Sequence, residues 1–364
     1  MKILHIINNL NIGGAEKLLI ESLPLYEKKN IEVDLLLLNK KESPFENLLK
    51  NTLKGSVYLS NIKHLYSPLQ IFQIIKHIRK KKYDIVHAHL FPTLYWLSLA
   101  KFFFRFKIPI IFTEHSTHNK RLESAVFQWI DKNIYRQYSK IIVITPQVKQ
   151  VLIQKLDIKD NKIKVVYNGV DITKYKNAKA YSKEDFFDKN SIILIQISRF
   201  QSAKDQKTVI KTLALLPDTY KLLLVGDGDT QEECKQLVQS LSLQERVQFL
   251  GNRTDIPSLL KTANIAVQSS HWEGFGLTAV EAMAAGKPII ASNVIGLKDI
   301  VSGYGLIFEK GNENDLLEKI HFLADENNYK QIAEKCSQRA EKFELTTMVE
   351  ETVALYQKLI NSIK

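Results

Sequence analysis

The residues best able to do chemistry lie in one stretch, "HWEGFGLTAVEAMAAGKPIIA" (271–291). The run before it, "NIAVQSS" (264–270), reads as a strand, and "LTAVEAMAAG" reads as a helix closed by Gly286. Glu273 therefore falls in the loop between them and Glu281 in the helix. Gly274 and Gly276 keep that loop open, so backbone N–H groups can face a ligand. A helix N-terminus stabilises a phosphate by roughly 0.3–2 kcal/mol. Carboxylates beside it would repel that phosphate, so they are expected to face hydroxyl groups. A carboxylate accepts paired hydrogen bonds, which suits the vicinal diols of sugars. An anion-binding helix end between two diol-binding carboxylates describes a nucleotide-sugar: ribose, pyrophosphate and hexose.

Other stretches are weaker alone. Arg199 and Lys204, in "QISRFQSAKDQKT", follow a strand and stand five residues apart. They could clamp a pyrophosphate or be solvated surface charges. Gly13 and Gly14, in "NNLNIGGAEKLL", open a helix after the first strand, without the full G-x-G-x-x-G fingerprint. Such a turn either lets a ligand approach the backbone or is only structural. His115 ends the strand-like "IIFTEH"; it is either a site residue or packed scaffolding. With Glu114 and His118 it offers at most three adjacent metal ligands and no partner cluster, so no metal is expected there. Asp227-Gly-Asp229, in "VGDGD", could hold a divalent ion, but a strand-to-helix turn with Asp229 or Thr230 as helix cap is favoured.

The elements that must position these residues alternate. Strand-like runs at 2–7, 32–38, 56–59, 84–89, 108–113, 140–145 and 162–167 are mostly separated by helical segments. The polar, lysine-rich 168–191 region lacks a strong apolar period and reads as a linker. Strands then resume at 192–198, 220–226, 246–251, 264–270 and 287–292, with helices near 204–216, 230–241 and 277–285, and the tail from about 312 to 363 reads as successive helices. This predicts an α/β protein of two Rossmann-like, doubly wound domains facing a central cleft.

The chain has 364 residues, 45% hydrophobic and 25% charged, which suits a globular protein of two domains. No apolar run approaches the length of about 18 residues that would suggest a membrane span, and asparagines interrupt "MKILHIINNLNIGG" before a signal-peptide core forms. A cytoplasmic protein is expected. Cys234 and Cys336 give neither a disulfide framework nor metal-ligand spacing. The net charge of +12 attracts anions, yet no basic stripe is interleaved with stacking aromatics, so nucleic acid is not the expected partner. "RKKK" (79–82) reads as a solvated helix end, and the helix in "LFPTLYWLSLAKFFFRFKIP" (90–109) as packing one face on the sheet. Together they also offer a peripheral contact with an anionic membrane.

Glu273 and Glu281 form an E-x7-E motif, and with "FTEH", "NGVD", "SRFQSAKD", "GNRTDI" and "EGFGLTAVEAMAAGKPIIAS" the chain resembles the retaining GT-B glycosyltransferases of family 4, over nearly its whole length. The resemblance implies an acceptor-binding domain over 1–170, a linker over 171–190, a donor-binding domain over 191–343 and a C-terminal helix over 344–364 that packs on the first domain. It implies that Glu281 binds ribose and that Glu273 binds the 3- and 4-hydroxyls of the donor sugar. The N–H groups around Gly274, Phe275, Gly276 and Leu277 would hold sugar and phosphate. Arg199 and Lys204 would neutralise the leaving pyrophosphate. Arg253 would lie beside the base, Gly13 and Gly14 beside the phosphates, and His115 beside the transferred sugar. A UDP-sugar is the favoured donor, a GDP-sugar the second choice, and no metal or cofactor is expected. The acceptor would be a glycan or lipid-linked saccharide of bacterial surface-polysaccharide assembly. A GT-B-like nucleotide-sugar epimerase and a non-catalytic nucleotide or nucleic-acid binder are the rival readings.

Overall fold

The structure, a computed structural model, describes all residues except 12, 40–48, 50–51, 117–119 and 363–364. It divides into two compact units, one made of Met1–Gly169 with Leu345–Lys364 and the other of Val170–Glu344.

The first unit holds a parallel sheet of seven strands among the described residues, in the order β3-β2-β1-β4-β5-β6-β7. These are β1 (Lys2–Ile7), β2 (Glu32–Leu37), β3 (Val57–Leu59), β4 (Ile85–His89), β5 (Ile110–Glu114), β6 (Lys140–Val143) and β7 (Ile163–Val165). Apart from Lys2, the side chains of "KILHII" are wholly buried, as a strand covered on both faces requires. One face packs against α1 (Gly14–Lys28) and against the helix numbered last, α14 (Leu345–Asn361). Val349, Val353 and Tyr356 of α14 join Ile3, Ile7, Leu23 and Ile85 in one core. The right-handed crossovers of a parallel sheet put α2 (Gln70–Lys80), α3 (Thr93–Phe104) and α4 (Ala125–Arg136) over the other face. α5 (Pro146–Leu156) links β6 to β7.

The second unit repeats the plan in six strands, ordered β10-β9-β8-β11-β12-β13. They are β8 (Ile192–Ile197), β9 (Tyr220–Val225), β10 (Val247–Phe249), β11 (Ile265–Gln268), β12 (Ile289–Ser292) and β13 (Leu306–Phe308). The sequence pattern does not reveal β13, whose three residues lie beside Gly305 and pair only with β12. In both units the strand order reverses beside the first strand, between β1 and β4 and between β8 and β11.

The 171–190 stretch is not a free linker. It belongs to the second unit and contains α6 (Ile172–Lys176). Its anchors are spaced too widely to show as periodicity: Tyr175 is buried, the Tyr181 N–H donates to Thr262 Oγ1 at 2.9 Å, and Gln248 donates to the Phe186 carbonyl.

Tyr356 ties α14 to the sheet through its hydroxyl, 2.6 Å from Nδ1 of His87, and is fully buried. Tyr356→Ala is expected to destabilise the first unit by about 3–5 kcal/mol, the usual cost of emptying an aromatic site in a core. Tyr356→Phe should cost about 1–3 kcal/mol, because His87 loses a buried partner. Hydrogen exchange read separately over the two units checks this: amides of β1 and β4 should lose protection while those of β8 and β11 keep theirs.

Candidate active site

In the second unit, the loop after β8 carries Arg199, which is exposed, and a tight turn over Ser202–Lys204. Buried amides fix its backbone: Gln196 Nε2 donates to the Lys204 carbonyl at 2.8 Å and Gln206 Nε2 to the Arg199 carbonyl at 2.9 Å. Ser269, just past β11, donates its hydroxyl to the Asp205 carbonyl at 2.8 Å. Asp205 takes a left-handed φ of 47° and caps α7 (Gln206–Ala214) by accepting from Thr208. The result of this bracing is an ion pair: the Lys204 ammonium meets the Glu273 carboxylate. The Ser270 hydroxyl donates to the same carboxylate at 3.2 Å. The pair bridges the ends of β8 and β11, the point where the strand order reverses and where such sheets bind ligands.

Beside it, Gly276 stands at the N-cap of α10 (Leu277–Ala284) with φ 91°, where a Cβ would meet Leu297 Cδ2 at 2.5 Å. The first N–H groups of α10, at Leu277 and Thr278, have no acceptor within the helix. Glu281 sits in its second turn and is 5% exposed. Phe275 is 2% exposed and packs edge-on against Phe343, so any part it plays toward a ligand belongs to its backbone. Gly296, not singled out from sequence, has φ 93°, and a Cβ there would lie 2.5 Å from the Glu273 carbonyl and 3.1 Å from that of Gly274. It lets the chain after β12 support the glutamate loop.

Arg253 follows β10 and is forked onto Asp255, its Nε 2.8 Å from Oδ1; Tyr181 donates to the other oxygen at 2.6 Å. The guanidinium holds that carboxyl well below the usual carboxylate range. The fork uses two of the five N–H donors of Arg253, so both its side chain and its backbone can still face a ligand. The "VGDGD" turn braces the Arg199 loop. Gly226 and Gly228 have φ 132° and 152°, and Cβ atoms there would strike the Ser198 and Phe200 carbonyls at 2.1 and 2.3 Å. Asp227 and Asp229 are exposed. Thr230 occupies the N-cap position of α8 (Gln231–Ser240), but its side chain makes no capping hydrogen bond.

In the first unit, Gly13 is the N-cap of α1 in extended conformation and Gly14 is the first helical residue. His115 directly follows β5. Glu114 is occupied by the Tyr135 hydroxyl and by the Ser116 N–H at 3.0 Å, and burial raises its pKa. His118 lies outside the described residues. Among the described residues, the group whose ligand atoms come within 4.8 Å of one another is instead His5, His87 and His89, all buried. The sequence pattern marks these three only as strand residues. The alternation in "HAH" puts His87 and His89 on one face, and His5 is the register partner of His87. The polar exception inside an apolar strand is the signal that could have found them. Both cysteines, Cys234 and Cys336, are buried and free.

Comparison with known proteins agrees with this architecture. The "Glycosyltransferase Family 4" profile matches residues 12–174, and the "Glycosyl transferases group 1" profile matches residues 177–343. The chain is 25% identical, over 99% of its length and 97% of the relative's, to the UDP-Gal:alpha-D-GlcNAc-diphosphoundecaprenol alpha-1,3-galactosyltransferase of Escherichia coli. It is likewise 25% identical, over 93% of its length and 94% of the relative's, to the N-acetylgalactosamine-N,N'-diacetylbacillosaminyl-diphospho-undecaprenol 4-alpha-N-acetylgalactosaminyltransferase of Campylobacter jejuni. Among solved structures, Anabaena HepE in complex with UDP and glucose superposes with a TM-score of 0.86 at 25% identity, covering 98% of this chain and all of that one. The chain is a two-domain protein of GT-B fold, homologous to nucleotide-sugar glycosyltransferases and related to the group 1 and family 4 glycosyltransferases.

Proposed function

We propose that the protein is a retaining hexosyltransferase that uses a nucleotide-sugar, a UDP-sugar first and a GDP-sugar second. Its acceptor is a glycan or lipid-linked saccharide in bacterial surface-polysaccharide synthesis. The observation that carries this reading is the Lys204–Glu273 pair beside the N-terminus of α10. An ammonium, a sugar-binding carboxylate and a helix start are what a glycosyl diphosphate requires. The HepE structures with UDP and glucose and with UDP-glucose, and the UDP-Gal and diphosphoundecaprenol in the Escherichia coli relative's name, support the choice of donor and acceptor.

In this reading Glu281 holds the ribose, and Glu273 with the N–H groups of Gly274, Phe275, Gly276 and Leu277 holds sugar and phosphate. The backbone at Arg253 lies beside the base. In the first unit the participants are Gly13, Gly14 and His115. As the bond from the anomeric carbon to the diphosphate breaks, an acceptor oxygen bonds on the same face. The leaving phosphate takes the acceptor's proton. Arg199 and Lys204 stabilise the charge that develops on the diphosphate, without need of a divalent ion. An ammonium has three N–H donors, so Lys204 can hold Glu273 and a phosphate oxygen together.

Membrane attachment is part of the proposal. No helix among the described residues is long and apolar enough to cross a bilayer. Yet the first unit exposes Phe102 (58%) and Phe103 (64%) on α3 and Trp129 (69%) on α4, which packs against α3. Cations border them, with Arg79 over the Phe104 ring and Lys101 over that of Phe106. Not all of "RKKK" is available, since Lys81 pairs with buried Asp34 at 2.8 Å.

Thermal unfolding with EDTA and UDP, GDP, ADP, CMP or their sugar conjugates tests the donor. A hundredfold excess over Kd should stabilise by about 2.7 kcal/mol. One nucleotide should act selectively, and Glu281→Ala should abolish the shift; no shift with any nucleotide-sugar, or release of an isomerised sugar without acceptor, refutes the reading. Arg199→Ala should fold normally and lower kcat by about 10²–10³, the loss typical of one removed transition-state donor. Gly296→Ala should strain the loop by about 1–3 kcal/mol and weaken donor binding in isothermal titration while leaving the second unit folded. Phe102→Ser with Phe103→Ser should reduce binding to anionic vesicles at least about tenfold, since each buried phenyl is worth about 1.5–3 kcal/mol. Equal binding by wild type and variant would remove the membrane surface from the proposal.

A further inference from the structure

Four histidines stand on one face of the first sheet, beneath α1 and α14. His5 lies on β1, His87 and His89 lie on β4, and His115 follows β5. Three of them are joined end to end. His5 Nδ1 is 3.1 Å from His89 Nε2, and His89 Nδ1 is 3.5 Å from His115 Nε2. The His5 and His89 rings are nearly parallel, with centroids 5.3 Å apart. His87 stands outside the chain, taken by Tyr356 at 2.6 Å and Thr113 at 2.7 Å. We propose that His5 and His89 are positioning residues for His115: their hydrogen-bonded chain holds its ring neutral and in one orientation and ties its tautomer to theirs, with Nδ1 as the nitrogen reserved for a ligand hydroxyl. The inference rests on the transferase reading only for the identity of that ligand.

The chain has a directional logic. A neutral imidazole carries one N–H and one bare nitrogen. Two consecutive imidazole bonds must therefore run the same way. If they run from His5 to His115, then His5 Nε2 is bare and His115 Nδ1 is a donor. If they run the other way, His5 Nε2 carries hydrogen and His115 Nδ1 is an acceptor. Among the described residues, the two terminal atoms, His5 Nε2 and His115 Nδ1, are buried and find no partner. A cavity of about 30 Å³ touches both residues, enough for one water to serve the His5 end in either sense. The 3.5 Å joint at His115 is the loose one, and such bonds tighten when substrate binds.

The surroundings keep the chain uncharged. α1 presents Tyr26 to His5, and α14 presents Tyr356 to His87. Besides the histidines, the cavity is lined by Ser22, Thr113, Asn168, Thr352, Tyr26 and apolar side chains, with no carboxylate among the described residues to offset an imidazolium. Burial pushes His5 down to about 3 and His115 down to about 4, and lowers His89 well below its ordinary value. A transition metal between His5, His87 and His89 is the competing occupant of these nitrogens.

Ring ¹⁵N spectra of the whole protein test the proposal without any assay of activity. Between pH 8 and 5, His115 should not titrate, and His5, His89 and His115 should share one proportion of Nδ1–H and Nε2–H forms. His89→Phe should uncouple His115, so that its proportion departs from that of His5, and His89→Gln, whose amide both donates and accepts, should restore the match. His5→Phe, which keeps a ring against Tyr26, should leave His89 and His115 still matched. Saturating UDP-glucose, with its binding verified by thermal shift, should move the His115 resonances and, through the chain, those of His5. Titration of His115 near 6.5, different tautomer proportions for His5 and His115 in the wild type, a match that survives in His89→Phe, or stoichiometric zinc by elemental analysis overturns the proposal. Verified UDP-glucose binding that leaves the His115 ring unmoved also overturns it, whereas absence of any thermal shift counts against the transferase reading while the tautomer results still decide the chain.

Discussion

A parallel sheet covered on both faces leaves only its strand ends for chemistry. Both units of this protein obey that constraint with the same strand order, which turns back beside the first strand. Each sheet has a polar contact across its turning point. In the second unit it is the charged pair Lys204–Glu273, joining the loops after β8 and β11. In the first it is the neutral pair His5–His89, joining β1 and β4. Depth accounts for the difference. Lys204 and Glu273 lie beyond the strands and keep some solvent, whereas His5 and His89 lie within strands, where an unpaired charge would be costly.

Much of the remaining polarity serves to hold the second unit's loops. Gln196, Gln206 and Ser269 are buried, and each donates a hydrogen bond to the loop backbone between Arg199 and Asp205. Glycines do the complementary work by allowing chains to approach. Gly226 and Gly228 press against the 198–200 backbone, and Gly296 presses against the Glu273 loop. The site's rigidity thus comes from residues that need never meet a ligand.

The alternation of strands and helices is legible in the sequence because both faces of each sheet are covered, which makes the strands short apolar runs. The Glu273 and Glu281 motif is legible for a related reason: glycine punctuation marks the loop, and helix formers mark the element after it. Four features are not. β13 is too short to carry a pattern. The 171–190 segment docks through a few scattered aromatic and polar residues rather than a periodic face. The histidine chain assembles from residues 5, 89 and 115, which only strand register brings together. Gly296 is hidden similarly, since its neighbour is the backbone of residue 273. Long-range proximity of this kind leaves no local trace in composition.

The closing helix α14 gives the chain an unusual order of completion. The second unit is continuous, from Val170 to Glu344, but the first draws its core from segments on either side of it. Tyr356, which fills the centre of that core, emerges from a ribosome after all of the second unit has been made. The domain begun first is therefore finished last. Until then α1 alone covers that apolar face of its sheet, with His87 lacking its hydroxyl partner, while the second unit already has every residue it needs to fold.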